Sequence, residues 1–252
     1  MAQKKKKLGD AQTNKDDEFY TRYEDISAEV SKYKEQLKGK RILCPCDWDE
    51  SYNEEIVFKE EGYVPTSNLF GKYTAIKQID VEKSKQKIEK SLDFVKCNFV
   101  KFLVMQADVY GIKSISVSGF NPATEEGIKF QDIDYSRYDL VITNPPFSQF
   151  IEFIEVMFRN KMEFLVIGPL TAISHKELFP LIMNNKMWLG YNMPDNFFDI
   201  NEKNIKTAPV FWYTNLDVSY RHDKMILTEE YSEDKFPKYD NYDAILIDKT
   251  KN

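Results

Sequence analysis

The chain has 252 residues, of which 42% are hydrophobic and 14% aromatic, and this composition predicts a globular protein and excludes a largely disordered one. No apolar run approaches the length of a membrane span, and no apolar segment follows the lysine-rich N-terminus, so the sequence predicts an intracellular protein. Three cysteines exclude a disulfide framework, and with only two histidines they do not indicate a metal site.

The formal net charge of −6 excludes tight DNA binding by overall charge alone. Non-specific affinity for DNA comes from lysine and arginine side chains that neutralise phosphates. A chain with this balance of charges can still bind DNA through a local basic patch.

The N-terminal segment predicts a basic tail followed by the first helix. Residues 1–15 contain a run of four lysines and few apolar groups, which is typical of a disordered tail that serves solubility or contacts phosphates. The segment Asp17-Glu18-Phe19-Tyr20-Thr21 follows, and by itself it indicates only a loop that caps the core. A helix is predicted next, because apolar residues recur near 3.6-residue spacing at Ile26, Val30, Tyr33 and Leu37.

The first strand is predicted at Arg41–Cys44 and runs into Pro45-Cys46-Asp47, a turn that carries a carboxylate. A helix, a strand and an acidic turn are the usual start of a nucleotide-binding α/β domain. The chain lacks a Gly-x-Gly sequence at this turn, which argues against a nicotinamide or ATP enzyme. The polar and poorly periodic stretch at about 49–91 predicts an insertion after the first strand.

Apolar periodicity predicts the elements that follow. Helices are expected at residues 92–108, after Phe147 and around 178–182. Strands are expected at 115–118, 140–142, 164–167, 187–189, 210–213 and 244–247. This alternation predicts an α/β fold with a doubly wound, mostly parallel sheet.

The strand at 140–142 leads into Asn144-Pro145-Pro146-Phe147, the most informative stretch of the chain. Two prolines cannot donate to a sheet, so they end the strand and leave Asn144 at its carboxyl end, where α/β sheets bind ligands. The carbonyls of Asn144 and Pro145 can accept both hydrogens of one amino group, and Phe147 offers a face on which a base can stack. A simpler alternative is a Pro-Pro turn that closes a buried strand.

Several further segments occur in a fixed order around this tetrapeptide. They are Asp17-Glu18-Phe19-Tyr20-Thr21, Cys44-Pro45-Cys46-Asp47, Ile167-Gly168, Phe179-Pro180-Leu181-Ile182 and Trp188-Leu189-Gly190-Tyr191. Together with Asn-Pro-Pro-Phe, the set resembles the EcoRI-type adenine-specific DNA methyltransferase family over roughly residues 16–215. The combination is more specific than any one of its parts.

The resemblance implies a Rossmann-like class I methyltransferase domain that uses S-adenosylmethionine, a cofactor without a pyrophosphate. It assigns the amino-group clamp and base-stacking roles to Asn144, Pro145, Pro146 and Phe147. It assigns contacts with the cofactor to Phe19, Tyr20, Thr21, Cys46, Asp47, Asp132 and Asn144. One departure is that the second strand ends in Ser118-Gly119, where similar folds have an acid that holds the cofactor ribose, so the ribose contact stays unassigned.

The implied reaction is methyl transfer to N6 of an adenine flipped out of duplex DNA, without a metal. Two alternatives remain at this point: methylation of N4 of cytosine, which needs the same clamp, and a non-catalytic remnant that binds cofactor or DNA. The expected partners are double-stranded DNA and, by function only, a cognate restriction endonuclease. The expected location is the cytoplasm, for a protein encoded by a bacterium or a phage. Because family members usually extend further, residues 216–252 are expected to form part of a C-terminal region for target recognition.

Overall fold

The computed structural model describes residues 20–47, 56–59, 76–90, 97–121, 126–194, 197–198, 204–205, 209–224, 232, 234, 238–239 and 241–245. The predicted basic tail, at residues 1–15, lies outside this range. Contacts divide the chain into two compact units, Met1–Asp217 and Val218–Asn252.

The described strands are mostly short, and several consist of only two residues. In chain order they are Tyr20–Thr21 (β1), Arg41–Cys44 (β2), Lys77–Gln78 (β3), Ser114–Val117 (β4), Phe120–Asn121 (β5), Glu126–Gly127 (β6), Leu140–Thr143 (β7), Glu163–Pro169 (β8), Trp188–Leu189 (β9), Phe197–Phe198 (β10), Asn204–Ile205 (β11), Val210–Thr214 (β12), Lys238–Tyr239 (β13) and Tyr242–Ile245 (β14).

The α-helices of the described residues are Tyr23–Val30 (α1), Lys34–Leu37 (α2), Val81–Ile88 (α3), Asn98–Tyr110 (α4), Phe150–Arg159 (α5) and Phe179–Met183 (α6). Short 3₁₀ helices cover Ser31–Tyr33, Phe130–Asp132, Tyr135–Arg137, Phe147–Gln149, Leu170–Ser174 and Ser219–His222. None of the helices in the described ranges combines the length and the apolar character needed to cross a membrane.

A seven-stranded sheet forms the centre of the first unit, with the strand order β3-β4-β2-β7-β8-β12-β9. Strands β4, β2, β7 and β8 are parallel neighbours, whereas β12 runs antiparallel between β8 and β9, and β3 runs antiparallel on β4. Five strands therefore share one direction, because β9 opposes β12, which opposes β8. The predicted α/β fold with a mostly parallel sheet is confirmed.

The middle of each central strand is apolar, as expected for strands that are covered on both faces, and polar residues stand mainly at the strand ends. All four residues of β7 are buried, and so are Phe164 to Ile167 in β8. Helix α5 covers one face and contributes Phe150, Phe153 and Met157 to a hydrophobic core cluster. Gly168 makes this packing possible, because a Cβ atom there would meet the ring of Phe150, with the ring Cδ2 only 2.7 Å away.

The stretch expected to be an insertion contributes to the sheet. Within its described parts, β3 pairs with the end of β4, and Ile79, directly after β3, forms a β-bridge with Phe58. Helix α3 follows directly, and the side chain of its N-cap Asp80 accepts the backbone N–H of Lys83 at 3.1 Å. No element was predicted here, because short strands and a lysine-rich helix leave little apolar periodicity to detect.

Other boundaries differ from the sequence prediction by a few residues. The first helix is interrupted by a 3₁₀ turn at Ser31–Tyr33, and the helix predicted at 92–108 is observed at Asn98–Tyr110, with 91–96 outside the described residues. The strand predicted at 244–247 corresponds to β14, which pairs with β13 within the second unit.

Candidate active site

Two loops at the carboxyl edge of the sheet are joined through one carboxylate. Strands β2 and β7 are parallel neighbours, so the turn after Cys44 and the turn after Thr143 lie side by side. The Asp47 carboxylate accepts the hydroxyl of Thr143 through one oxygen and the backbone N–H of Asn144, at 3.2 Å, through the other. The acidic turn and the start of the Asn-Pro-Pro-Phe segment are therefore held together directly.

Thr143 is the residue through which this connection is built. It is the last residue of β7 and is fully buried. Its hydroxyl donates to Asp47 and accepts the backbone N–H of Cys46 at 3.2 Å, so it contacts the side chain of Asp47 and the backbone of the residue before it. A buried hydroxyl with both roles occupied locks two loops in one arrangement.

The environment of Asp47 favours its neutral form. Burial raises the pKa of the Asp47 carboxyl from 3.8 to about 7, although the hydrogen bonds from Thr143 and the Asn144 N–H act in the opposite direction. The carboxyl therefore titrates near neutral pH. Burial also raises the pKa of the Cys46 and Cys44 thiols, so these cysteines are poor nucleophiles.

The segment from Asn144 to Phe147, the proline corner, is compact. Pro145 is buried, Pro146 has an extended backbone with ψ of 126°, and the Gln149 N–H donates to the Pro146 carbonyl at 2.9 Å to close the turn that begins at Phe147. The side-chain oxygen of Asn144 is buried. Among the described residues, no hydrogen bond is seen to the Pro145 carbonyl.

The ring of Phe147 is supported from a distant part of the chain. It meets the ring of Phe197 edge-on, with centroids 6.3 Å apart and planes at 89°. Phe197 is fully buried in β10, where it pairs with Thr21 of β1. The proline corner and the Tyr20–Thr21 segment therefore meet through β10.

The start of α4 ties the same segment to the acidic turn. The side-chain amide of Asn98 donates to the Thr21 carbonyl at 2.8 Å, and the Cys97 thiol donates to the Asp47 carbonyl. The hydroxyl oxygen of Thr21 is buried and has no hydrogen-bond partner among the residues that the structure describes. A buried polar atom of this kind fits a bound polar ligand, which would supply the missing partner.

The predicted site residues are brought together only in part. Thr21, Cys46, Asp47 and the segment from Asn144 to Phe147 form one connected group, whereas Phe19 lies outside the described residues and only the backbone of Tyr20 is described. Asp132 is exposed on the 3₁₀ turn after β6 and forms no described hydrogen bond with this group. Its proposed contact with cofactor stays a prediction.

Sequence reasoning missed four residues that shape the site: Cys97, Asn98, Thr143 and Phe197. Thr143 had a detectable signal, since it is a polar residue at the end of an apolar strand and directly before Asn144. At the end of β4, the Ser118 hydroxyl donates to the Pro45 carbonyl at 3.3 Å, so Ser118 supports the acidic turn.

Comparison with known proteins gives a consistent result along nearly the whole chain. A family model described as "Adenine-specific methyltransferase EcoRI" matches residues 7–252. The chain is 33% identical to the Type II methyltransferase M.EcoRI of Escherichia coli over 268 residues, covering 98% of this chain and 80% of that protein. It is 28% identical to the Type II methyltransferase M.MgeORF184P of Mycoplasma genitalium and 25% identical to M.MpnI of Mycoplasma pneumoniae, covering 96% of this chain and 75% of each relative. No solved structure matches the chain at a significant level.

These matches confirm the family that was predicted from the motifs, and they agree with the seven-stranded sheet of the class I methyltransferase fold. The chain belongs to the EcoRI-type adenine-specific methyltransferase family, and it is a DNA-methylating enzyme that acts on adenine.

Proposed function

We propose that the enzyme transfers a methyl group from S-adenosylmethionine to N6 of an adenine that is extruded from double-stranded DNA. The observation that carries this proposal is the direct connection between the turn proposed to face the cofactor and the turn proposed to hold the base. Asp47 contacts both Thr143 and Asn144, so one carboxylate sets the distance between the two turns.

The proline corner supplies the clamp for the amino group. The Asn144 side-chain oxygen and the Pro145 carbonyl would each accept one hydrogen of the adenine amino group. Two such bonds draw the nitrogen lone pair out of conjugation with the ring, which makes the nitrogen a better nucleophile. Holding the nitrogen in line with the methyl group supplies much of the acceleration, and no strong base is needed.

Phe147 would hold the extruded base by stacking. The base must leave the duplex because its amino nitrogen is paired there. Stacking of a base on an aromatic ring contributes about 1–3 kcal/mol, which offsets part of the cost of unstacking. The edge-on contact with Phe197 keeps the Phe147 ring in one orientation for this purpose.

The residues proposed to hold S-adenosylmethionine fit a polar ligand. Thr21 offers its buried hydroxyl, and Cys46 and Asp47 offer the polar turn after β2. When bound, the cofactor supplies a methyl group on a positively charged sulfur. Phe19, Tyr20, Asp132 and Asn144 are further proposed contacts, supported by the resemblance to the family.

The experiment is modified-base sequencing of DNA from cells that express the chain. We expect N6-methyladenine in one sequence context with the unaltered enzyme and none with Asn144→Ala, while calorimetry shows that this variant still binds S-adenosylmethionine. Asn160→Ala is the matched control, because Asn160 follows α5 just before β8 begins, at the opposite edge of the sheet. Methylation by Asn144→Ala at the unaltered rate, or N4-methylcytosine as the product, would overturn the proposal.

The division of the chain is proposed on the same basis. We assign residues 16–215 to the catalytic domain and 216–252 to part of a target-recognition region, which the division of contacts between residues 217 and 218 supports. A cognate restriction endonuclease is proposed as a functional partner because the relatives are named Type II methyltransferases. The test is whether DNA from cells that express the chain resists cleavage by a candidate endonuclease.

A further inference from the structure

A carboxylate outside the site described above carries an unusual number of hydrogen bonds. Glu29 lies in the last turn of α1 and its side chain is fully buried. One oxygen accepts the Tyr33 hydroxyl at 2.7 Å and the Tyr191 N–H at 2.8 Å, and the other accepts the Asn192 N–H at 2.7 Å and the Asn192 side-chain amide at 3.0 Å. Among the described residues, no lysine or arginine forms an ion pair with it.

The loop that Glu29 holds approaches it unusually closely. A Cβ atom at Gly190 would collide with a Glu29 carboxylate oxygen and would lie 2.8 Å from the Trp212 Cβ. The position therefore requires glycine because of contact rather than because of backbone conformation. The Trp188-Leu189-Gly190-Tyr191 segment, whose purpose the sequence leaves open, is explained by this approach.

The same loop leads to the support of the base-stacking ring. After Asn192 the chain continues to β10, where Phe197 pairs with Thr21 and meets the ring of Phe147. Glu29 belongs to α1, which begins just after β1. Its carboxylate therefore connects the loop that leads to β10 with the helix that follows β1, the strand paired with β10.

We propose that Glu29 is a positioning residue for the target adenine: it anchors the loop after β9 so that Phe197 holds the Phe147 ring in place. The inference rests on the proposed stacking role of Phe147. We expect S-adenosylmethionine binding to depend less on Glu29, because the Asn98 side chain holds the Thr21 carbonyl through a separate hydrogen bond.

Glutamine cannot replace Glu29 without loss, although it has nearly the same shape. The backbone N–H groups of Tyr191 and Asn192 can only donate a hydrogen bond to this carboxylate, and the Asn192 side-chain amide also donates one. The Tyr33 hydroxyl differs from them, because a hydroxyl can also accept. A glutamine has one acceptor oxygen, so its own NH2 group would face at least one backbone N–H. The loop must then shift to relieve the repulsion.

The test measures methyl transfer and stability separately. We expect Glu29→Gln and Gly190→Ala each to lower the maximal rate of tritiated-methyl transfer to unmethylated bacterial genomic DNA by about 10- to 100-fold, the effect of a small misplacement near a reacting centre. The dissociation constant for S-adenosylmethionine, measured by calorimetry, should stay within about threefold. Phe197→Leu should produce the same defect, and Glu29→Gln should add little to it.

Thr214→Val is the matched control, because Thr214 is equally buried and hydrogen-bonded but lies at the end of β12 away from the proline corner. Rates are compared well below the melting temperature of each variant. If Glu29→Gln lowers the melting temperature as Thr214→Val does but leaves the maximal rate unchanged, Glu29 is merely structural and the inference is wrong. If Phe147→Leu itself leaves the rate unchanged, the stacking role in the proposed function fails instead.

Discussion

The carboxylate of Asp47 accepts the backbone N–H of Asn144 at 3.2 Å, although the two residues are separated by almost a hundred positions in the chain. The same carboxylate accepts the Thr143 hydroxyl. An acid that was expected to face only the cofactor thus also orients the residue proposed to clamp the target amino group. Cofactor and base positions are coupled by this one side chain.

Thr143→Val should impair catalysis more than its effect on stability explains. The substitution preserves shape but leaves the Asp47 carboxylate and the Cys46 N–H each without one partner, at a cost of about 1–3 kcal/mol. We expect a lower maximal rate at saturating cofactor, measured by single-turnover methyl transfer. Thr214→Val, the same change at another fully buried threonine, should destabilise the fold without lowering that rate. Equal rate losses in both variants would contradict a specific role for Thr143.

Asp47 should make the protein less stable as pH rises. Its pKa in the folded chain, about 7, lies above the ordinary value of 3.8, so the folded state holds the proton over a range where the unfolded state has lost it. The resulting stabilisation is complete below about pH 4 and disappears as pH rises through 7. Urea unfolding at several pH values measures the free energy of unfolding of the unaltered chain and of Asp47→Asn. The decrease of this free energy with rising pH that Asp47 causes should be absent from the variant. An identical pH dependence in the two proteins would refute the assignment.

Asp139 should act with the opposite sign. Its carboxylate accepts the Arg41 guanidinium at 2.7 Å and the Arg41 backbone N–H at 2.8 Å, and the guanidinium lowers the pKa of Asp139 to about 2. Stability from this pair is present above the ordinary pKa of 3.8 and is lost as pH falls through about 2. Because both side chains are about one third exposed, solvent screens the pair and the effect should be modest. Asp139→Asn should flatten the acid limb of a pH titration of unfolding, and an unchanged acid limb would contradict the prediction.

Gly168→Ala should destabilise the core beside the site. The added methyl group would overlap the ring of Phe150, which is fully buried, and overpacking of this kind costs about 1–3 kcal/mol. Chemical denaturation measures the loss. Adding Phe150→Leu should recover part of it, since a smaller side chain relieves the overlap; additive losses in the double variant would show that the two residues are not in conflict.

Local sequence patterns were sufficient to predict the main helices and strands and the proline corner. The runs at 140–142 and 164–167 are apolar and rich in β-branched residues, and strands buried on both faces need such runs regardless of their neighbours. Asn144-Pro145-Pro146-Phe147 determines its own geometry, since proline restricts itself and the residue before it. The family and its chemistry were therefore readable from short segments in a fixed order.

Only the tertiary structure decided how these segments are held together. The contacts of Asp47 with Thr143, of Asn98 with Thr21 and of Phe197 with Phe147 join residues far apart in the chain, and no periodicity within a segment encodes such pairs. The strands β1, β3 and β10 have only two residues each, too few to give a periodicity, and they are recognised by the partner strand that satisfies their backbone groups. Glu29 shows the same limit: its residue type suggests an exposed helix face, and only the loop that folds over it supplies the hydrogen bonds that allow a carboxylate to be buried.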